Sequence, residues 1–131
     1  MTEDRWPFIH HIGVFVSDYD ASLRFYSAAL EPLGVIAAGE AEGGVEFWEK
    51  DRDTPSIGIA PVQGDDPVTR GVHIGFTAAD RAAVDAFYEA ALAAGGVSRH
   101  APRLWPDYRA YCAFVSDPDG NNIEALHKET T

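Results

Sequence analysis

The sequence predicts an α+β fold made of two repeated βαβββ modules, which together form a cup-shaped curved sheet with the helices outside. The segment 11–30 matches the segment 73–92 at ten of twenty positions without a gap, a constant offset of 62 residues. Each copy begins with a β-branched run followed by a helical pattern, and short apolar runs punctuated by Gly, Asp and Pro follow. Because about sixty residues can hardly bury a core alone, the two copies are expected to pack together.

The first module reads strand, helix and three strands. The apolar run 8–16 predicts the first strand, and Ser17 and Asp18 then offer side-chain oxygens that can cap a helix. That helix is predicted over 19–30, and Gly34 follows its end. Three short strands complete the module, and the residues predicted for them are 35–38, 45–49 and 56–62.

The second module repeats this plan. A strand is predicted at 72–77, followed by a helix over 79–94 that stops at a Gly-Gly pair. A short strand near Val97 and two more strands, at 108–115 and 122–127, complete it. Asp-Pro-Asp-Gly at 117–120 is typical of a turn between the last two strands. The chain is therefore predicted to be a single domain over 1–131, with module one at about 7–66 and module two at about 70–128.

Composition narrows the classes of partner. Ten Lys and Arg against 21 Asp and Glu give a formal net charge of −11, which disfavours nucleic acid and anionic membranes. The same charge favours neutral or cationic small molecules. The sequence shows no apolar run of signal-peptide or membrane-spanning length. The single cysteine, Cys112, cannot form an intrachain disulfide, so we expect a buried structural thiol in a cytoplasmic protein.

Alternation along the strands predicts a cluster of metal-binding side chains on the face away from the helices. His11 and Gly13 share that face in the first strand, and His73 and Gly75 share it in the equivalent strand. Glu124 lies on it in the last strand, and the two glycines leave room for a ligand. Two imidazoles and one carboxylate suit one divalent ion such as Fe, Mn, Zn or Ni, and they leave positions open for water and substrate.

The other three histidines are weaker candidates. His10 and His127 fall on the helix side of their strands by parity, whereas His100 lies in an expected loop and could contact substrate.

The segment 98–111 is unlike the rest of this acidic chain, because it carries three arginines and three aromatic residues. Such a segment forms either the wall of a small-molecule pocket or a long loop whose aromatics cap the core. Tyr111 is predicted to be either a hydrogen-bond donor to groups around the metal or a general acid, and Glu124 is predicted to be the other catalytic residue. Trp48 fits a pocket wall or the core equally well. The residues predicted to line the pocket are Trp48, His100, Arg103, Trp105 and Tyr108.

Several of these motifs together resemble the glyoxalase/bleomycin-resistance/dioxygenase superfamily, also called vicinal oxygen chelate proteins. They are His-Ile-Gly-Val-Phe-Val-Ser-Asp at 11–18, Phe-Tyr at 25–26, Gly-Val-His at 71–73, and the ending Phe-Val-Ser-Asp-Pro-Asp-Gly-Asn-Asn-Ile-Glu at 114–124. The resemblance covers about residues 8–127. It implies paired βαβββ modules around a divalent metal with His11, His73 and Glu124 as ligands. It also implies a homodimer, with the cup formed either within one chain or between two.

The resemblance implies a metal-dependent lyase, isomerase or dioxygenase acting on a small oxygenated organic molecule chelated at the metal. The alternative is a metal-free drug-binding resistance protein of the bleomycin-resistance type. One departure matters, because Gly58 stands where glyoxalase I proteins carry a fourth, acidic ligand, and the segment 54–64 has no acidic residue. This departure argues against a lactoylglutathione lyase. It leaves Gln63, water or substrate to complete the coordination.

Overall fold

A computed structural model describes residues 6–129 of the chain. The elements of the first module are strand β1 (His11–Val16), helix α1 (Tyr19–Leu30), a short 3-10 helix (Glu31–Leu33), and strands β2 (Val35–Ala41), β3 (Gly44–Glu49) and β4 (Ser56–Pro61). The elements of the second are strand β5 (His73–Thr77), helix α2 (Arg81–Ala93), and strands β6 (Val97–Trp105), β7 (Ala110–Ser116) and β8 (Asn122–Lys128). No helix among residues 6–129 is long and apolar enough to cross a membrane.

The strands form two four-stranded sheets with the same topology. The first sheet has the order β1-β4-β3-β2 and the second has the order β5-β8-β7-β6. In both sheets the first and last strands of the module pair in parallel, and the other pairs are antiparallel. The predicted two-module α+β fold is therefore confirmed, while the cup shape stays a prediction.

Both helices begin with a capping aspartate. The sequence predicts the cap of α1, and module two has an aspartate in the equivalent role. The side chain of Asp18 accepts a hydrogen bond from the backbone N–H of Ala21, and Asp80 does the same for Ala83. These carboxylates accept hydrogen bonds from N–H groups that have no partner within the helix. Their negative charge also interacts favourably with the positive end of the helix dipole. Gly34, beyond the first helix, takes a left-handed conformation (φ 77°) that glycine adopts without strain.

The largest difference from the sequence prediction lies at residues 98–107, for which a loop was expected between the short strand near Val97 and the strand at 108–115. β6 runs for nine residues to Trp105 and joins β7 through a turn at 106–109. β6 is the edge strand of its sheet, and its register shifts between Ser98 and His100 and again between His100 and Arg103. Edge strands tolerate prolines and charges such as Pro102 and Arg103, so this strand lacks the alternating pattern of a half-buried one.

A shared hydrophobic core joins the two modules. Helices α1 and α2 contact each other, and their buried residues belong to one cluster together with strand residues of both modules. A smaller cluster of Ala110, Cys112 and Phe114 lies within module two. Alternate residues of three strands lie in this cluster, as strand parity requires of positions that face the helices. They are Val14 and Val16 of β1, Ile57 and Ile59 of β4, and Ile123 and Ala125 of β8.

A buried polar network around the turn between β7 and β8 also connects the modules. Tyr26 of α1 donates its phenol to Asp117 Oδ2 at 2.5 Å, and the amide of Asn121 donates to the same oxygen at 3.0 Å. Asn121 also donates to the carbonyl of Thr69 in the segment that links the modules. Tyr26 and Asn121 are fully buried. Burial, together with the charge and hydrogen bond of Asp117, raises the pKa of Tyr26.

Candidate functional site

Two of the three predicted metal ligands lie side by side on the second sheet. His73 Nε2 and Glu124 Oε1 are 2.8 Å apart. β5 and β8 pair in parallel with Gly75 opposite Glu124, which places the two side chains on the face away from the helices. The carboxylate side chain is 8% exposed and the imidazole side chain is 53% exposed. The pair thus presents a buried anionic oxygen beside an accessible imidazole, a donor set that suits a divalent ion.

Gly75 and Cys112 shape the surroundings of Glu124. A Cβ added at Gly75 would lie 3.3 Å from Leu126 and 3.4 Å from Glu124 Oε1, so glycine lets these two side chains pack closely against β5. Cys112 of β7 is fully buried. Burial, followed by the nearby charge of Glu124, raises the pKa of its thiol to about 12. The thiol therefore stays protonated, which agrees with a structural role.

His11 is not part of this pair within one chain. Its Nδ1 lies 3.0 Å from Nδ1 of the exposed His10. Across residues 6–129, no group of three or more His, Cys, Asp or Glu side chains is placed to hold a metal ion. His11 belongs to the first sheet, where it pairs with Ser56 of β4. The structure brings His73 and Glu124 together and leaves the third predicted ligand on the other module.

The strand register identifies the position in module one that corresponds to Glu124. Gly13 pairs with Gly58 in the first module, and the equivalent glycine of the second module, Gly75, pairs with Glu124. β4 therefore has a glycine where β8 has the carboxylate. Gln63 lies beyond the end of β4 and donates its amide to the carbonyl of Glu42 at 3.3 Å.

Three aromatic rings form a cluster next to His73, which we call the aromatic wall (His100, Trp105 and Phe114). Their centroids lie 5.1 to 5.4 Å apart in edge-to-face pairs, and the ring of Phe114 is 6.0 Å from that of His73. The guanidinium of Arg103 lies 3.5 Å from the ring centroid of Trp105. The indole N–H of Trp105 is buried and has no hydrogen-bond partner among residues 6–129. The rings of the aromatic wall can contact a planar apolar group.

Three of the predicted pocket residues thus belong to or contact the aromatic wall, whereas Phe114 was not among the predicted site residues. Phe114 pairs with Glu124 across β7 and β8, so its parity with Glu124 was the signal that could have identified it.

Trp48 and Tyr108 lie apart from the aromatic wall. Trp48 of β3 pairs with Ser56, which in turn pairs with His11, so all three side chains share one face of the first sheet. A Cβ at Gly39 would come within 2.8 Å of its ring. Tyr108 lies in the turn between β6 and β7 and is 57% exposed.

Tyr111 lies on the opposite face of the sheet from Glu124. It directly precedes Cys112 in β7, and its hydroxyl donates to Asp85 of α2 at 2.8 Å. This hydrogen bond raises the pKa of Tyr111, and Arg81 lies 4.6 Å from the ring centroid. Since successive strand residues point to opposite faces, a proton donor at Tyr111 could not serve a site at Glu124. The contacts of Tyr111 thus favour a structural role over the expected catalytic one.

Replacing Tyr111 with Phe is expected to lower the free energy of unfolding by at most about 1 kcal/mol, because one partly exposed hydrogen bond to Asp85 is lost. Metal affinity should be unchanged. Urea unfolding measured beside a Co²⁺ titration tests both statements. Weaker Co²⁺ binding at unchanged stability would restore a role for this hydroxyl in the site.

Comparisons with known proteins agree with this fold. The sequence profile of the Glyoxalase/Bleomycin resistance protein/Dioxygenase superfamily matches residues 8–125. A search of curated proteins found no match. Among solved structures, a glyoxalase/bleomycin resistance protein from Albidiferax ferrireducens T118 is 30% identical with a TM-score of 0.79, over 93% of this chain and 99% of that one.

Two further solved structures share the fold at lower identity. A glyoxalase-related enzyme from Fulvimarina pelagi is 20% identical with a TM-score of 0.71, over 92% of this chain and 87% of that one. TnmS3, an antibiotic binding protein from Streptomyces sp. CB03234, is 22% identical with a TM-score of 0.68, over 95% and 98% of the two chains. The chain described here belongs to the glyoxalase/bleomycin resistance protein/dioxygenase superfamily.

Proposed function

We propose that this protein is a divalent-metal-dependent enzyme of the lyase, isomerase or dioxygenase type, acting on a small oxygenated organic molecule. The ligands are His73, Glu124 and His11. The observation that carries the proposal is the 2.8 Å approach of His73 Nε2 to Glu124 Oε1 on adjacent parallel strands. A buried carboxylate that contacts an accessible imidazole next to a glycine is the arrangement that a coordinated ion needs.

The separate position of His11 leads us to place the complete site between two copies of the chain. In a homodimer, His11 of the partner subunit would join His73 and Glu124. The segment just before His11 supports this assembly, because Trp6, Phe8 and Ile9 are 69%, 100% and 51% exposed. Contiguous exposed apolar side chains of this size mark a surface that another chain covers.

The residues around the pair have defined tasks in this proposal. A bound divalent ion would supply Lewis acidity towards substrate oxygens. His73 and Glu124 hold it, and Gly75 lets the carboxylate of Glu124 lie close to β5. The aromatic wall provides an apolar surface that orients the substrate and excludes water.

One observation favours a second candidate, a metal-free binding protein for a planar cationic molecule. The aromatic wall offers an apolar surface to a planar group, and the net charge of −11 favours a cationic one. The structural neighbour TnmS3 is an antibiotic binding protein. Metal binding separates the two candidates, since only the enzyme needs the ion.

Replacing Glu124 with Gln, or His73 with Ala, is expected to weaken Co²⁺ binding by about 10²-fold or more, since each change removes a ligand. The measurement is titration of metal-free protein with Co²⁺, followed by calorimetry and by the visible absorption of the bound ion. His127→Gln is the matched control, because His127 contacts the carbonyl of Ala78 rather than the site. Wild-type protein that binds no divalent ion would overturn the proposal and favour the binding protein.

A further inference from the structure

The side chains of His10 and His11 contact each other at the start of β1. Their Nδ1 atoms are 3.0 Å apart, and the two rings meet edge to face with centroids 5.2 Å apart and an angle of 84° between the planes. His10 precedes the first residue of β1, so its side chain need not follow the alternation of the strand. The contact is a hydrogen bond between two imidazoles, in which one ring donates and the other accepts.

The backbone of His10 is fixed by the segment that leads into β4. Its carbonyl accepts a hydrogen bond from the N–H of Ser56 at 3.0 Å and another from the hydroxyl of Thr54 at 3.1 Å. Thr54 is buried, and the ring of Trp6 lies 6.1 Å from that of His10. His10 therefore has a defined position beside His11, although both side chains are exposed in a single copy of the chain.

The direction of this hydrogen bond decides which nitrogen of His11 can bind an ion. A neutral imidazole has one N–H and one bare nitrogen, and only the bare nitrogen coordinates a metal. If His11 donates from Nδ1, its Nε2 is bare. If His10 donates instead, Nε2 of His11 carries the proton and His11 has no nitrogen left for an ion. In module two it is likewise Nε2 of His73 that faces Glu124.

We propose that His10 is a positioning residue for His11, which accepts the Nδ1–H of His11 and keeps its Nε2 bare for the ion. This inference rests on the proposed function, in which His11 is the ligand that module one supplies. Histidines that bind a metal almost always donate their other N–H to an acceptor, which fixes the ring and its tautomer. With His10 in place, the orientation of His11 is set before the ion arrives, so less conformational freedom is lost on binding.

Two variants of similar shape test this role. The side-chain oxygen of Asn is attached to Cγ as Nδ1 of histidine is, so His10→Asn keeps an acceptor for His11, whereas His10→Leu has only a methyl group there. Calorimetric titration of metal-free protein with Co²⁺ should show binding weakened by about 10-fold or more in His10→Leu, and by no more than about 3-fold in His10→Asn. Equal losses in the two variants would contradict the role of an acceptor at this position.

The tautomer of His11 is measured directly in the metal-free protein. Long-range nitrogen–proton NMR correlation spectra distinguish a protonated Nδ1 from a protonated Nε2, and they are recorded at about pH 8, above the ordinary titration range of histidine. Wild-type protein and His10→Asn should show Nδ1–H at His11, and His10→Leu should lose this preference. Nε2–H at His11 in the wild-type protein would overturn the inference, and this result needs neither a variant nor the ion.

The outcomes separate this inference from the proposed function. Wild-type protein that binds no Co²⁺ contradicts both. Binding that depends on His11, His73 and Glu124 but is unchanged in His10→Leu contradicts the role of His10 alone.

Discussion

A mixture of the His11→Ala and Glu124→Ala proteins is expected to recover about a quarter of the wild-type Co²⁺ sites, although each variant alone binds weakly. In the proposed dimer each site takes His11 from one copy and His73 with Glu124 from the other. Random exchange of subunits makes about half of the dimers hybrid, and each hybrid has one intact site and one without either residue. Equilibrium dialysis with Co²⁺, after subunit exchange in mild denaturant, measures the recovery.

A mixture of His73→Ala and Glu124→Ala is the matched control. Both residues belong to module two of the same chain, so no hybrid of these variants has an intact site. Recovery in the first mixture but not in the second would place the site between copies. No recovery in either mixture, with wild-type binding intact, would contradict the shared site.

Replacing Asp117 with Ala is expected to lower the free energy of unfolding by about 3–5 kcal/mol. The carboxylate accepts hydrogen bonds from Tyr26 and from the backbone and side chain of Asn121, all of which are buried. Without the carboxylate, these buried donors have no acceptor in the protein and remain cut off from water, which destabilises the folded state. Urea unfolding measures the free energy, and the melting temperature should fall by roughly 10 °C or more.

Two other variants define the scale of this effect. Tyr26→Phe removes one donor and leaves the carboxylate with its other partners, so the loss should be about 1–2 kcal/mol. Asp107→Ala changes an exposed turn residue and should stay within about 0.5 kcal/mol of the wild type. A loss below about 1 kcal/mol for Asp117→Ala would show that the turn does not anchor the two modules.

Strand parity explains why part of the site could be predicted from the sequence. His73 and Glu124 lie on strands that pair in parallel, and their alternation with core residues sets the face on which they lie. The same rule, applied to β7, separates Phe114 from Tyr111, and the contacts of Tyr111 with Asp85 and Arg81 argue against the catalytic role predicted for it. The alternation of residues within each strand thus predicts which side chains share a face of the sheet.

Two features of the structure could not be predicted from alternation within single strands. β6 is an edge strand with two shifts of register, so its side chains do not alternate and its sequence resembles a loop. The position of His11 relative to Glu124 depends on how α1 packs against α2 and on the hydrogen bonds of Asp117. Contacts between distant segments of this kind have no periodicity in the sequence.

The edge position of β6 separates the residues that would recognise a ligand from those that hold the fold together. His100 and Arg103 are exposed residues of a strand that pairs on one side only, whereas Trp105 on the same strand is half-buried. Exposed positions accept substitution at little cost in stability, usually within about 0.5 kcal/mol. Ligand preference could therefore diverge along β6 while the helices, the core and the pair of His73 and Glu124 stay constant. Directed evolution of new binding specificity in this scaffold should begin with this strand.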